Sequence, residues 1–194
     1  MNKHILIVVV TVFASVQAAT SQGNEQAITN SRFILVESNF GRASMSDQGS
    51  KFIGGFGLWG RFSLQEKKRH TLEIGIPLRW SFTSPEEEVL VDYDHSLSAS
   101  ALFRLVLKHP TNESVSFFVG AGPELRVVWK DGDDKNSSRS IPMLQQEIGF
   151  KMAKPNAFLF DHWEIGLTSS IPISEKEWKD KLVFASLFVR MSIF

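Results

Sequence analysis

Two short clusters hold the residue types of nucleophilic catalysis. Asp92, Asp94, His95 and Ser96 stand almost side by side, as do Asp161, His162 and Glu164. A serine activated by a histidine, itself oriented by a carboxylate, is what such residues can build when their side chains converge. Adjacency in sequence is not convergence, and a histidine beside a turn is more often solvated than reactive. Acidic residues gather as well, at Glu86, Glu87 and Glu88 and again at Asp131, Asp133 and Asp134. They could draw divalent cations, but "DGDDKNSS" lacks the ligand spacing of an EF-hand. Solvated loops account for them, and no cofactor or metal is expected.

A second set of charged residues is spaced differently. Arg61, Glu73, Arg79, Arg104, Glu124, Arg126, Glu147, Lys151, Glu164 and Arg190 lie in segments where large apolar residues alternate with small or polar ones. In "HTLEIGIPLRWSFT", Leu72, Ile74, Ile76, Leu78, Trp80 and Phe82 form one set of alternate positions. Thr71, Glu73, Gly75, Pro77, Arg79, Ser81 and Thr83 form the other. A period of two over this length marks a β-strand with unlike faces.

The alternation predicts strands near Ser31–Ala43, Lys51–Leu64, His70–Thr83, Ser96–Lys108, Ser114–Lys130, Pro142–Ala153, Trp163–Ile173 and Lys181–Phe194. Apart from the short, charged "SEKEWKDK", no stretch carries the 3.6-residue period of an amphipathic helix. Short connections such as "QEKKR" and "HPTNE" alternate with longer ones rich in Asp, Glu, Ser and Gly. That rhythm predicts an all-β, up-and-down antiparallel barrel of about eight strands, with both termini at the short-turn end.

The strand pattern leaves open which face turns inward. The apolar faces run for about 10 to 14 residues, more than a usual soluble strand of about 5 or 6 and enough for a tilted membrane strand. The polar faces are mostly Gly, Ser and Thr with single charges, whereas a solvated face would be crowded with Lys and Glu. Small residues with sparse charges suit the bore of an eight-stranded barrel, which only just holds side chains. The expected arrangement is therefore apolar side outward, with the ten charges forming a salt-bridged interior. A narrow channel is the alternative for that interior. Trp80 and Trp129 fall near the loop-side ends of their strands and Trp163 near a turn-side end, as girdle residues would. In the last strand Val183, Ala185, Leu187, Val189, Met191 and Ile193 are expected outward, with Phe188 and Arg190 inward.

The first segment, "MNKHILIVVVTVFASVQAATSQG", reads as processing. Lys3 precedes an apolar run from Ile5 to Ala14, and Val16-Gln17-Ala18 offers a cleavage site. The expected division is a signal peptide over 1–18, a flexible leader over 19–30 and one barrel domain over 31–194. The chain has 194 residues with 21 basic and 21 acidic side chains, and this zero net charge argues against nucleic acid. Cysteine is absent, which excludes disulfides and thiol chemistry.

"VSFFVGAGPELRV" and the closing "ASLFVRMSIF" resemble the small eight-stranded outer-membrane barrels, the transmembrane domain of outer membrane protein A and the opacity proteins among them. The resemblance implies the cell outer membrane, contact with outer-membrane lipid and lipopolysaccharide, and insertion as a monomer by the barrel-assembly machinery. Some small outer-membrane barrels modify lipid A with rim His, Ser and acidic residues, but the two clusters above match none of their motifs. A structural or surface-interaction role without enzymatic activity is expected. A secreted lipocalin-like binding barrel is a further alternative, since "GLW" is similar to the Gly-x-Trp of that family. That motif belongs on their first strand, however, and here it falls on the second.

Overall fold

The computed structural model describes residues 33–45, 49–83, 93–112, 114–130, 138–153, 162–173 and 183–192. The expected signal peptide and leader, Glu86–Glu88, Asp92, Asp131–Asp134, Asp161, "SEKEWKDK" and the terminal Phe194 lie outside these residues. The described strands are β1 (Phe33–Met45), β2 (Gly49–Glu66), β3 (His70–Thr83), β4 (His95–Ser100), β5 (Leu102–Lys108), β6 (Val115–Trp129), β7 (Arg139–Ala153), β8 (His162–Pro172) and β9 (Val183–Ser192). Each pairs antiparallel with its neighbours, and β1 pairs with β9 as well as β2. The sheet therefore closes on itself as an up-and-down barrel, and closure removes every free edge.

Nine strands make eight staves. β4 and β5 both lie between β3 and β6, in one unbroken register: Leu78 faces Ala99 and Gly75 faces Leu102. The interruption at Ala101 has a local cause. On that register Pro77 stands opposite Ser100 and Pro123 opposite Ala101, and neither proline can donate to the ladder. The single segment Ser96–Lys108 expected from the alternation is thus split by prolines on its two neighbours. One bond survives there, from Ala101 N–H to the Pro123 carbonyl at 3.1 Å. A second irregularity, a bulge between Ser63 and Gln65, lets β2 bend near its turn-side end.

The faces separate cleanly. Glu73 is 2% exposed, while Leu72 is 38% and Trp80 43% exposed on the same strand. Phe40, Phe56, Leu58, Phe103, Phe150 and Leu167 are likewise exposed on the outer wall. In the last strand Phe184, Phe188, Arg190 and Ser192 are buried, and Ala185 and Leu187 are exposed. At the loop-side end the outer wall carries an aromatic cluster: Trp80 lies 5.3 Å from Phe56, and His95 stacks on Trp129 at 5.7 Å.

Candidate functional site

Strand register builds the bore from alternating charges. One row across the barrel runs Arg79, Gly57, Glu37, Arg190, Glu164 and Lys151, each directly opposite the next on the neighbouring strand. Leaving out the glycine, the signs alternate without exception. A second row places Glu73 opposite Arg104, then Gly120, then Glu147. Side chains of opposite sign face each other across strands and also reach over the narrow lumen.

Arg190 is the hub, fully buried, with three carboxylates around its guanidinium. Its Nε donates to Glu37 at 2.7 Å, one terminal nitrogen to Glu147 at 2.7 Å and the other to Glu164 at 3.0 Å. Arg104 forms a second hub, at 2.8 Å from Glu147, 2.9 Å from Glu164 and 3.4 Å from Glu73. Lys151 donates to Glu73 at 3.1 Å, and Arg61 lies 3.6 Å from Glu164. Arg79 closes the other side on Glu37, one of its two bonds spanning 3.0 Å. Toward the loops a smaller unit joins Arg126 to Glu124 at 2.7 Å, with Ser170 donating to Glu124 at 2.6 Å. Ser100 meets the amide oxygen of Gln145, whose amide nitrogen donates to Thr168 at 2.9 Å. A charge withdrawn from water is tolerated only with such partners, and several of these carboxylates accept from more than one cation.

Aromatic rings fill what the charges leave. Trp59 points inward, with the Arg190 guanidinium 3.5 Å from its ring centre and that of Arg104 at 5.0 Å. Phe118 and Phe188 stack on each other at 6.3 Å and cover Arg104 and Arg190 at 4.0 and 3.8 Å. Room for Trp59 comes from Gly75 on β3, where a Cβ would overlap the indole. At the loop-side end Ala43, Ile53, Tyr93, Val128, Ile141, Met143 and Phe184 form an apolar layer above the ions. Burial there pushes the Tyr93 hydroxyl above its ordinary titration range.

All ten charged residues singled out in the sequence face the bore, and all ten join one of the two ionic units through the contacts above and Arg61's approach to Glu73. Lys151 is the least enclosed of them. The sequence reading omits Glu37, which bridges Arg79 and Arg190; alternate positions Leu35, Glu37, Asn39 and Gly41 in β1 carry its signal. Phe188 turns inward as expected, and Trp59, Leu102, Phe118 and Met143 share that inward parity, so the bore is less polar than its charges alone suggest.

Among the described residues of the two catalysis-like clusters, His95 and Ser96 do not converge. His95 lies against Trp129 on the outer wall while Ser96 is buried in the bore, as neighbours on a strand must be. Both carboxylate oxygens of Glu164 are occupied by arginines.

No family model matches the sequence, and no curated protein matches it significantly. Solved structures do. The chain is similar to Neisserial surface protein A, at 15% identity and TM-score 0.52, over 84% of this chain and 97% of that one. Ail, the attachment invasion locus protein of Yersinia pestis, matches at 16% identity and TM-score 0.48, over 84% and 97%. The N-terminal β-barrel domain of Pseudomonas aeruginosa OprF matches at 13% identity and TM-score 0.44, over 84% and 99%. The fold of this chain is that of the eight-stranded outer-membrane β-barrels.

Proposed function

We propose, from that fold as premise, that the protein is an integral monomer of a Gram-negative outer membrane with a sealed bore and a structural or surface-interaction role. One observation carries this reading. Large apolar side chains such as Phe56, Leu58, Phe103 and Leu167 are each more than half exposed on the outer wall, while Arg104, Glu164 and Arg190 are almost wholly enclosed. In water that distribution would be upside down; in hydrocarbon it is what an outward apolar band and a polar lumen require. Short connections such as that between Glu66 and His70 then lie on the periplasmic side and the longer loops outside. Lipid and lipopolysaccharide surround the outer wall, and the barrel-assembly machinery inserts the chain.

The bore argues against a porin. Guanidinium and carboxylate groups span it in two interlocked hubs, and apolar side chains close it toward the loops. Cell fractionation followed by electrophoresis with and without boiling tests the reading. The expected result is an outer-membrane protein whose mobility changes on heating, as a folded barrel's does. A periplasmic or secreted protein of unchanged mobility would overturn it and favour a soluble binding barrel. In a planar bilayer the purified protein is expected to show no steady conductance, and a large one would reject the sealed bore.

A further inference from the structure

The outer wall is not uniformly apolar, and its polar residues follow one line. Ala121, Gln146, Ser169, Ala185 and Arg42 are directly opposite one another on successive strands, from β6 through β7, β8 and β9 to β1. All five side chains point outward. Ala121, Ser169 and Ala185 are short where large apolar residues are expected, so the line is a depression, and Gln146 and Arg42 add polar groups to it. It forms an open groove of about 780 Å³. The row beside it, Val119, Ile148, Leu167 and Leu187, is exposed and bulky and makes one bank. Four interstrand steps of about 4.8 Å give the groove a length of roughly 19 Å.

The groove also has a direction. Ala121 and Gln146 lie near the middle of their strands, whereas Ala185 and Arg42 lie close to the loop-side ends of β9 and β1. It therefore climbs from mid-barrel toward the loops and ends on a cation. Arg42 is exposed, its guanidinium donates to Ser50 at 3.4 Å, and it faces no carboxylate among the described residues. An exposed Gln146 carries an amide donor and acceptor into hydrocarbon, where no water is at hand to satisfy it.

We infer that this groove is a docking site for one acyl chain of a phosphorylated, multi-acyl glycolipid of the outer leaflet, lipid A being the source. The inference rests on the membrane reading above. A flexible chain can follow a shallow groove that winds around a convex wall over five strands, whereas a second barrel touches only one or two. Arg42 takes a phosphate at the headgroup level, where a guanidinium binds phosphate in bidentate fashion. Ser169, between mid-barrel Gln146 and the Arg42 end, meets the hydroxyl or amide that the acyl chains of such a glycolipid carry below their heads. The acyl region of a plain diacyl phospholipid offers ester carbonyls but no such hydroxyl or amide.

Native mass spectrometry of the folded barrel, released from micelles containing diphosphoryl lipid A, phosphatidylglycerol or phosphatidylethanolamine, tests this. The expected result is retention of one lipid A per barrel, well above either phospholipid. Arg42→Gln should lower that retention about tenfold, the loss of one charge-assisted contact. Ala185→Trp, which fills the groove from the outer side, should abolish it. Ser169→Leu serves in its place if Ala185→Trp fails the heat-mobility test for folding. Equal retention of phosphatidylglycerol would overturn the glycolipid assignment, and undiminished retention in the filled variant would overturn the groove. A lipid-free dimer would show that a second copy covers this face. Each of these results is read on a barrel that passes the heat-mobility test, so they leave the membrane reading intact. A wild-type chain that never folds into micelles contradicts that reading instead.

Discussion

Glu73 and Leu72 are neighbours in the chain and lie on opposite walls of the barrel. The inner wall to which Glu73 belongs is ionic and tightly enclosed; the outer wall of Leu72 is apolar and bare. A soluble sheet hides its apolar face and wets its charges, and here the charges are enclosed while most large apolar side chains are bare. With the outer wall in lipid, as proposed above, the contrast teaches that the medium, and not hydrophobicity alone, decides which side of a strand is the core. It teaches also that the inner wall is held by specific partners, while the outer wall needs only to be apolar.

Exchanging the two chemistries should hurt on both walls, and most on the inner one. Arg190→Leu removes the group that Glu37, Glu147 and Glu164 share. Stranding buried charges in this way costs about 3–5 kcal/mol. Urea unfolding in lipid vesicles measures it, and a loss below about 1 kcal/mol would mean the hub does not hold the bore. The reverse exchange, Leu167→Arg, places a charge on a residue 57% exposed in the outer wall. Its expected cost is about 2–4 kcal/mol near the bilayer midplane. A wall facing water would register roughly 0.5 kcal/mol or less in the same assay.

Gly75→Val sharpens the point about fit within the inner wall. The added side chain would collide with Trp59, and the Trp59 ring in turn lies against Arg190. Overpacking of this kind costs about 1–3 kcal/mol. The smallest effect belongs to a pair outside both walls. Lys108 meets Glu66 at 2.7 Å near the turn-side end, with Glu66 exposed and Lys108 partly so. Glu66→Gln should cost under about 1 kcal/mol, and less still at high salt. If that exposed pair proves as costly to break as the Arg190 hub, burial is not what makes the inner network strong.

The barrel itself is legible in the sequence because strand alternation is a local signal. Residues two apart report on one face, so "HTLEIGIPLRWSFT" announces both walls of β3 unaided. Partnership is not local. Glu37 and Arg190 are 153 positions apart and become opposite only when the first and last strands close the ring. The inward rings are hidden for the same reason. Trp59 and Phe118 occupy polar parity, and the glycines that accommodate them, Gly75 and Gly149, sit on neighbouring strands. The split of β4 from β5 is likewise written in Pro77 and Pro123, on the strands beside it.

The contrast between the walls is tested most directly on three consecutive residues of β8. The protein has no cysteine of its own, so single cysteines at Leu167, Thr168 and Ser169 can each carry a spin label in lipid vesicles. Leu167 and Ser169 point outward and Thr168 into the bore. Collision with oxygen, which concentrates in hydrocarbon, should be high at Leu167 and Ser169 and low at Thr168. High collision at Thr168 alone, or equal values at all three, would contradict the account.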